Sequence, residues 1–100
     1  MYKRFKLTLS KRVEIPVGAV VELPVKEIVS IPKTPLGENV KNYGTFHIRK
    51  KLAMKGLLQA VSAPFPDGYV GEATIIVYNK HVAPIELLES DEIGELWVFE

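Results

Sequence analysis

A chain of 100 residues with 13 Lys and Arg against 12 Asp and Glu carries a formal net charge of +1, too little to supply the field that draws a protein to nucleic acid or an acidic membrane. It contains no cysteine, which excludes disulfides and thiolate metal sites, and its opening stretch, Met1–Arg12, lacks the apolar core of a secretory leader. With 47% hydrophobic residues and no apolar run near membrane-spanning length, the composition predicts one globular domain, 1–100, in the cytoplasm.

The predicted elements are short strands between turn formers. "RFKLTLS" alternates Phe5, Leu7 and Leu9 with Lys6, Thr8 and Ser10, the period of a half-buried strand. In "EIPVGAVVELPV", Pro16 and Gly18 mark a turn, after which Val20, Val21 and Leu23 run up to Pro24, where an edge strand or strand end tolerates proline. "EIVSIP" predicts another strand and "KTPLGENVKNYG" a polar connection. "TFHIRK" follows as a strand, then "KLAMKGLL", where Leu52, Ala53 and Met54 fit one or two helical turns stopped by Gly56. "LLQAVSA", "ATIIVYN", "APIELLE" and "GELWVFE" are strand-like, with "PFPDGYVG", "NKHVA" and "SDEIG" as turns. Without repeats, linkers or low-complexity tracts, this pattern predicts an all-β sandwich or barrel with at most one short helix. A domain of this size buries only about two-thirds of its unfolded surface, which favours subunits that share apolar area.

Three segments carry a more specific signal. "PDGYVGEATIIVYN", Pro66–Asn79, resembles the third motif of the dUTPase and dCTP deaminase superfamily, an Asp-Pro-Gly-Tyr-x-Gly-Glu run followed by a strand ending in Tyr-Asn or Phe-Asn. "IRKKLAMKGL" is similar to the second motif, and "PIELLESDEIGELWVFE" to the fourth with its closing Phe-Glu. The order and spacing of the three agree, which makes the resemblance more specific than any one of them. It implies a jelly-roll-like or β-clip barrel, assembly as a homotrimer, and a nucleotide ligand of the dUTP class, with Mg2+ as cofactor only if the chain is active.

The resemblance also implies site residues, and several are altered. The general base of dUTPases is a carboxylate that activates the attacking water. Aligned on Gly68, Tyr69 and Gly71, its position is taken by Pro66, and Asp67 stands one residue late. In an extended segment that shift reverses the direction of a side chain, so Asp67 is a catalytic candidate only if the turn is remodelled. Arg49 matches the phosphate-binding Arg of motif two. The hydroxyl residue expected after it is Lys50, followed by Lys51. Lysines can hold phosphate as point charges, and they are also ordinary solvated surface. Tyr69 matches the residue that stacks on deoxyribose and equally suits a packing role. Glu95 replaces a Gln on the phosphate side. Ile76 replaces the proton-shuttling Glu of the deaminases, which argues against deamination. No counterpart of the first motif precedes Pro16, and no glycine-rich tail follows the last strand of this sequence.

Other residues are weighed on chemistry alone. His47 and His81 have no ligand-spaced partners, so no metal site is predicted. Trp97 and Phe99 are assigned to the core or a subunit interface, Gly56, Gly68 and Gly71 to turns with positive φ, and Asn79 to capping or turning the chain. The expectation is a dUTPase-like protein that has lost its catalyst and kept a trimeric scaffold for binding, regulation or structure. The alternative is an active dUTP diphosphatase with a remodelled site in which Asp67 acts as base.

Overall fold

The structure, a computed structural model, describes residues 2–61 and 63–100. In chain order the elements are β1 (Tyr2–Thr8), β2 (Val13–Ile15), β3 (Val20–Leu23), β4 (Ile28–Ser30), β5 (Tyr43–Ile48), α1 (Lys50–Met54), β6 (Leu57–Gln59), β7 (Val70–Glu72), β8 (Ile75–Asn79), β9 (Ile85–Leu87) and β10 (Glu92–Phe99). They form two three-stranded sheets, ordered β1-β10-β5 and β3-β8-β6, and two ribbons, β2-β9 and β4-β7. Every pairing is antiparallel.

Alternation in the sequence sets which side chains enter the core. Ile75 and Val77 of β8, Ile85 and Leu87 of β9, and Leu96 and Val98 of β10 point inward, with Leu7, Leu9, Ile15, Leu23, Val29, Ile31, Leu57 and Ile93 completing the cluster. The shape is elongated, 51 × 21 × 19 Å, with a radius of gyration of 14.5 Å against about 13 Å for a compact chain of this length.

Turn chemistry positions the strands. The Pro16 carbonyl accepts from Ala19 N at 3.1 Å across a turn that places Gly18 at φ +74°. At the end of α1, Gly56 has φ +100°, and a Cβ there would sit 3.0 Å from His81 N, so backbone freedom and close approach both require glycine. Asn79 is fully buried at the end of β8. Its Nδ2 donates to the carbonyls of Ile15, Pro16 and Ala83 at 2.9, 3.3 and 3.1 Å, and its Oδ1 accepts from His81 N at 2.8 Å. One side chain thus ties the β2–β3 turn to the β8–β9 turn.

Several expectations change. Val70–Glu72, expected within a turn, forms β7 and pairs with β4; Val70 and Glu72 are exposed, so no apolar alternation marks the strand. Glu92 and Ile93, expected in a turn ahead of the strand, already belong to β10, with Ile93 fully buried. Phe5 does not share the burial of Leu7 and Leu9: it is 48% exposed beside an apolar groove between β1 and β4. Gly71 lies in a strand and lacks the positive φ seen at Gly56 and Gly68; a Cβ there would crowd the Tyr69 hydroxyl at 3.1 Å. "LLQAVSA" yields only the three residues of β6, and Ser62 of that run lies outside the described residues.

Candidate functional site

The turn that follows Pro66 closes with Tyr69 N donating to the Pro66 carbonyl at 3.1 Å, and Gly68 adopts φ +73°. This geometry turns the half-buried Asp67 side chain toward the 32–42 connection. Asp67 Oδ1 accepts from Thr34 N at 2.8 Å, from Thr34 Oγ1 and from Asn42 N at 3.2 Å. Thr34 is buried and its hydroxyl also accepts from Asn42 N at 2.8 Å. The Thr34 hydroxyl bond, then the backbone donors of Thr34 and Asn42 and the charge of Lys41, hold the Asp67 carboxyl below its ordinary value. Donors that stabilise a carboxylate weaken it as a base. Pro66, which the motif resemblance aligns with a general base, is exposed and has no proton-accepting side-chain atom.

Tyr69 is half-buried, with its ring 5.3 Å from that of Phe65 and its hydroxyl donating to the Glu72 carbonyl at 2.6 Å. It borders a pocket of about 240 Å³ whose wall includes Phe46, Gln59, Phe65, Pro66 and Ile76. This is a mainly apolar recess whose polar side chains are the Gln59 amide, the Thr74 hydroxyl and the Tyr69 hydroxyl, the last already donating to the Glu72 carbonyl. Ile76 stands in the wall and brings no proton-carrying group to the pocket.

Arg49 stands at the N-terminal cap of α1 in an extended conformation, and its N–H donates to Ile93 O at 2.8 Å. That bond fixes the end of β5 against β10 and starts the helix, of which only Leu52 is buried. Arg49, Lys50, Lys51 and Lys55 are exposed, and among the described residues none of the four forms an ion pair. None borders the Tyr69 pocket. One copy of the chain therefore brings Pro66 and Tyr69 to a common recess and leaves the cationic segment outside it. Among the described residues no three His, Asp or Glu side chains gather in one place.

Glu95 lies on the outer face of β10. Its Oε1 receives Arg4 Nη2 at 2.5 Å and Nε at 3.2 Å, with Trp97 Nε1 at 3.4 Å. The Arg4 hydrogen bond is the main reason its carboxyl sits below the ordinary range. On the same face the rings of His47, Trp97, Tyr2, Phe99 and Tyr43 form a continuous stack. The sequence assigns Trp97 and Phe99 to the core or an interface, weighs His47 only as a metal ligand and gives no role to Tyr2 and Tyr43. Their only signal was alternation within β5 and β10, and it becomes visible once the strand register is known.

No protein-family profile matches the chain, and no curated protein matches it. Among solved structures it is similar to one titled "EIAV dUTPase native", with a TM-score of 0.69 and 19% identity, over 100% of this chain and 88% of that one. The fold is dUTPase-like. At this identity the likeness extends to the path of the chain and carries no residue roles. The fold class expected from the three motifs, an all-β domain with one short helix, is the one observed. No helix among the described residues is long and apolar enough to cross a membrane.

Proposed function

We propose that the chain is a dUTPase-like scaffold that does not hydrolyse dUTP and serves a binding, regulatory or structural role as a homotrimer. The observation that carries this reading is the state of Asp67. Its Oδ1 holds the Thr34–Asn42 connection, and freeing it to accept a proton from water would release that loop. With proline at the position of the family's base, the site has no carboxylate both placed and available for general-base work. Ile76 in the pocket wall argues against deamination in the same way.

Assembly as a trimer is supported by the dUTPase-like fold and by the elongated body. In the reading proposed here, the cationic segment Arg49–Lys55 of one copy lies near the Tyr69 recess of a neighbour. Four unpaired cations attract phosphate by charge alone, so the remaining activity is weak nucleotide binding that falls with added salt. A mainly apolar recess with few polar groups in its wall gives little preference among bases.

The test is pyrophosphate release from dUTP with magnesium, together with calorimetric titration of dUTP and dATP at two salt concentrations. No turnover and weak, salt-sensitive, unselective binding are expected. Robust turnover that disappears in Asp67→Asn would overturn the reading in favour of an active diphosphatase with Asp67 as its base.

A further inference from the structure

The β1-β10-β5 sheet buries apolar side chains on one side and carries a run of aromatic rings on the other. Its inner face gives Leu7, Leu96, Val98 and Phe46 to the core. Register places Tyr2 opposite Phe99, Arg4 opposite Trp97 and Lys6 opposite Glu95 on the outer face, with Tyr43 and His47 beside them on β5. An antiparallel sheet that meets water on one side is normally polar there. Here Tyr2 and Tyr43 remain 45% and 41% exposed.

The arrangement of the rings restricts what covers them. His47 stacks on Trp97 at 3.8 Å, Trp97 on Tyr2 at 5.3 Å, Tyr2 on Phe99 at 5.3 Å and Phe99 on Tyr43 at 4.9 Å, with interplanar angles from 17 to 32°. Trp97, Tyr2 and Phe99 each have ring neighbours on both sides, and the Arg4 guanidinium lies 5.1 Å from the Trp97 ring. A nucleobase needs a free ring face on which to stack, and each of the three inner rings has ring neighbours on two sides. A protein surface is the fitting occupant.

Charge selects which surface. Arg4 pairs with Glu95 at 2.5 Å and Lys6 with Glu92 at 3.8 Å, so the face is neutral and an identical face meets no net repulsion. Consider a two-fold axis parallel to the strands and running between β1 and β10. It lays each residue over its own register partner in the other copy, because antiparallel partners share one height along the sheet. Tyr2 then meets Phe99, Arg4 meets the Trp97 ring and Lys6 meets Glu95, each twice. All three pairings are attractive: aromatic contact, cation–π and ion pair. An axis over β10 would instead oppose Glu95 to Glu95 and Lys6 to His47.

We infer that the outer face of β1 and β10 docks on the same face of a second copy, as an isologous two-fold contact distinct from any three-fold assembly. The overlap is two strands wide, well below the about 1,600 Å² of a standard interface. Alone it is weak, and within a trimer a two-fold perpendicular to the three-fold axis joins two trimers as a hexamer.

Sedimentation equilibrium over a dilution series reads this directly. The wild type is expected to populate masses of two or six chains. Lys6→Glu sets Glu against Glu95 across the axis, and Glu95→Lys sets Lys against Lys6, so each alone is expected to weaken association by about tenfold or more. An equimolar mixture of the two variants restores complementary pairs and recovers association to within about threefold of wild type. Phe99→Lys, at the margin of the sheet, provides a loss variant that leaves both ion pairs in place. Wild-type protein with only one- or three-chain masses up to about 1 mM, the weak end of specific association, would overturn the inference. So would single variants that associate like wild type, or a mixture no better than either variant alone, provided thermal melting shows all of them folded.

Discussion

Asn79→Ala removes the most heavily used polar side chain in the core. Asn79 is fully buried, and its two Nδ2 protons serve the carbonyls of Ile15 at 2.9 Å and Ala83 at 3.1 Å, with Pro16 a weaker third at 3.3 Å. Alanine leaves two carbonyls without a donor in a site too apolar to hydrate them freely. At about 1–2 kcal/mol for each buried acceptor, the loss is about 2–4 kcal/mol. A domain of this length has a total stability of about 5–15 kcal/mol. Each kcal/mol shifts Tm by about 4–8 °C at this size, so a fall of about 10–25 °C is expected in a circular-dichroism melt. Urea unfolding should show a lower midpoint with an unchanged slope, since the exposed area is the same. Asn79→Asp keeps the shape and replaces a donor with an acceptor facing carbonyls. Its deficit should shrink at acid pH, where the protonated acid can donate again. A Tm drop of less than about 3 °C for Asn79→Ala would refute the pin between the two turns.

Two more perturbations follow from the geometry. Because the Asp67 carboxyl is held below its unfolded value by Thr34 and Asn42, its contribution is present above the unfolded carboxylate pKa and is lost as pH falls through the lower folded one. The Tm difference between wild type and Asp67→Asn, followed by melting from about pH 6 to about pH 2, is therefore expected to close toward the acid end; a difference that grows there would contradict the anchoring role. Gly94→Ala places a Cβ into the His47 carbonyl and 2.7 Å from the Phe46 ring, so an overpacking loss of about 1–3 kcal/mol and faster amide exchange across β5 and β10 are expected, and a variant as stable as wild type would show that the two strands can separate at no cost.

Local pattern carried much of the fold. Leu7 with Leu9, and Ile75 with Val77, alternate inward as their spacing requires, Pro16 to Gly18 turns the chain, and Gly56 ends α1 with a positive φ. What stayed hidden depended on distant partners. β7 has one half-buried residue between two exposed ones, and its strand character comes from Val29 across the ribbon. The partners of Asp67 lie 33 and 25 residues earlier in the chain, so sequence alone could note that the carboxylate was displaced without saying what it held. Tyr2, Arg4 and Lys6 look like the solvated face of a terminal strand until register sets them beside Trp97, Phe99 and Glu95.

The segment from Pro66 to Asn79 separates scaffold from site within fourteen residues. Gly68 and Asn79 act on the chain's own backbone, one through a positive φ and the other through bonds to carbonyls, so their value is independent of any ligand. A general base has value only at a set distance from a bound substrate. Asp67 meets a requirement of the first kind: its Oδ1 accepts from Thr34 and Asn42, and the connection it anchors joins β4 to β5. Turning that side chain away to serve a substrate would break these bonds and loosen the connection. In the function proposed above, this asymmetry is why a dUTPase-like fold keeps the Gly68 and Asn79 geometry while its Asp67 carboxylate is bound into a loop.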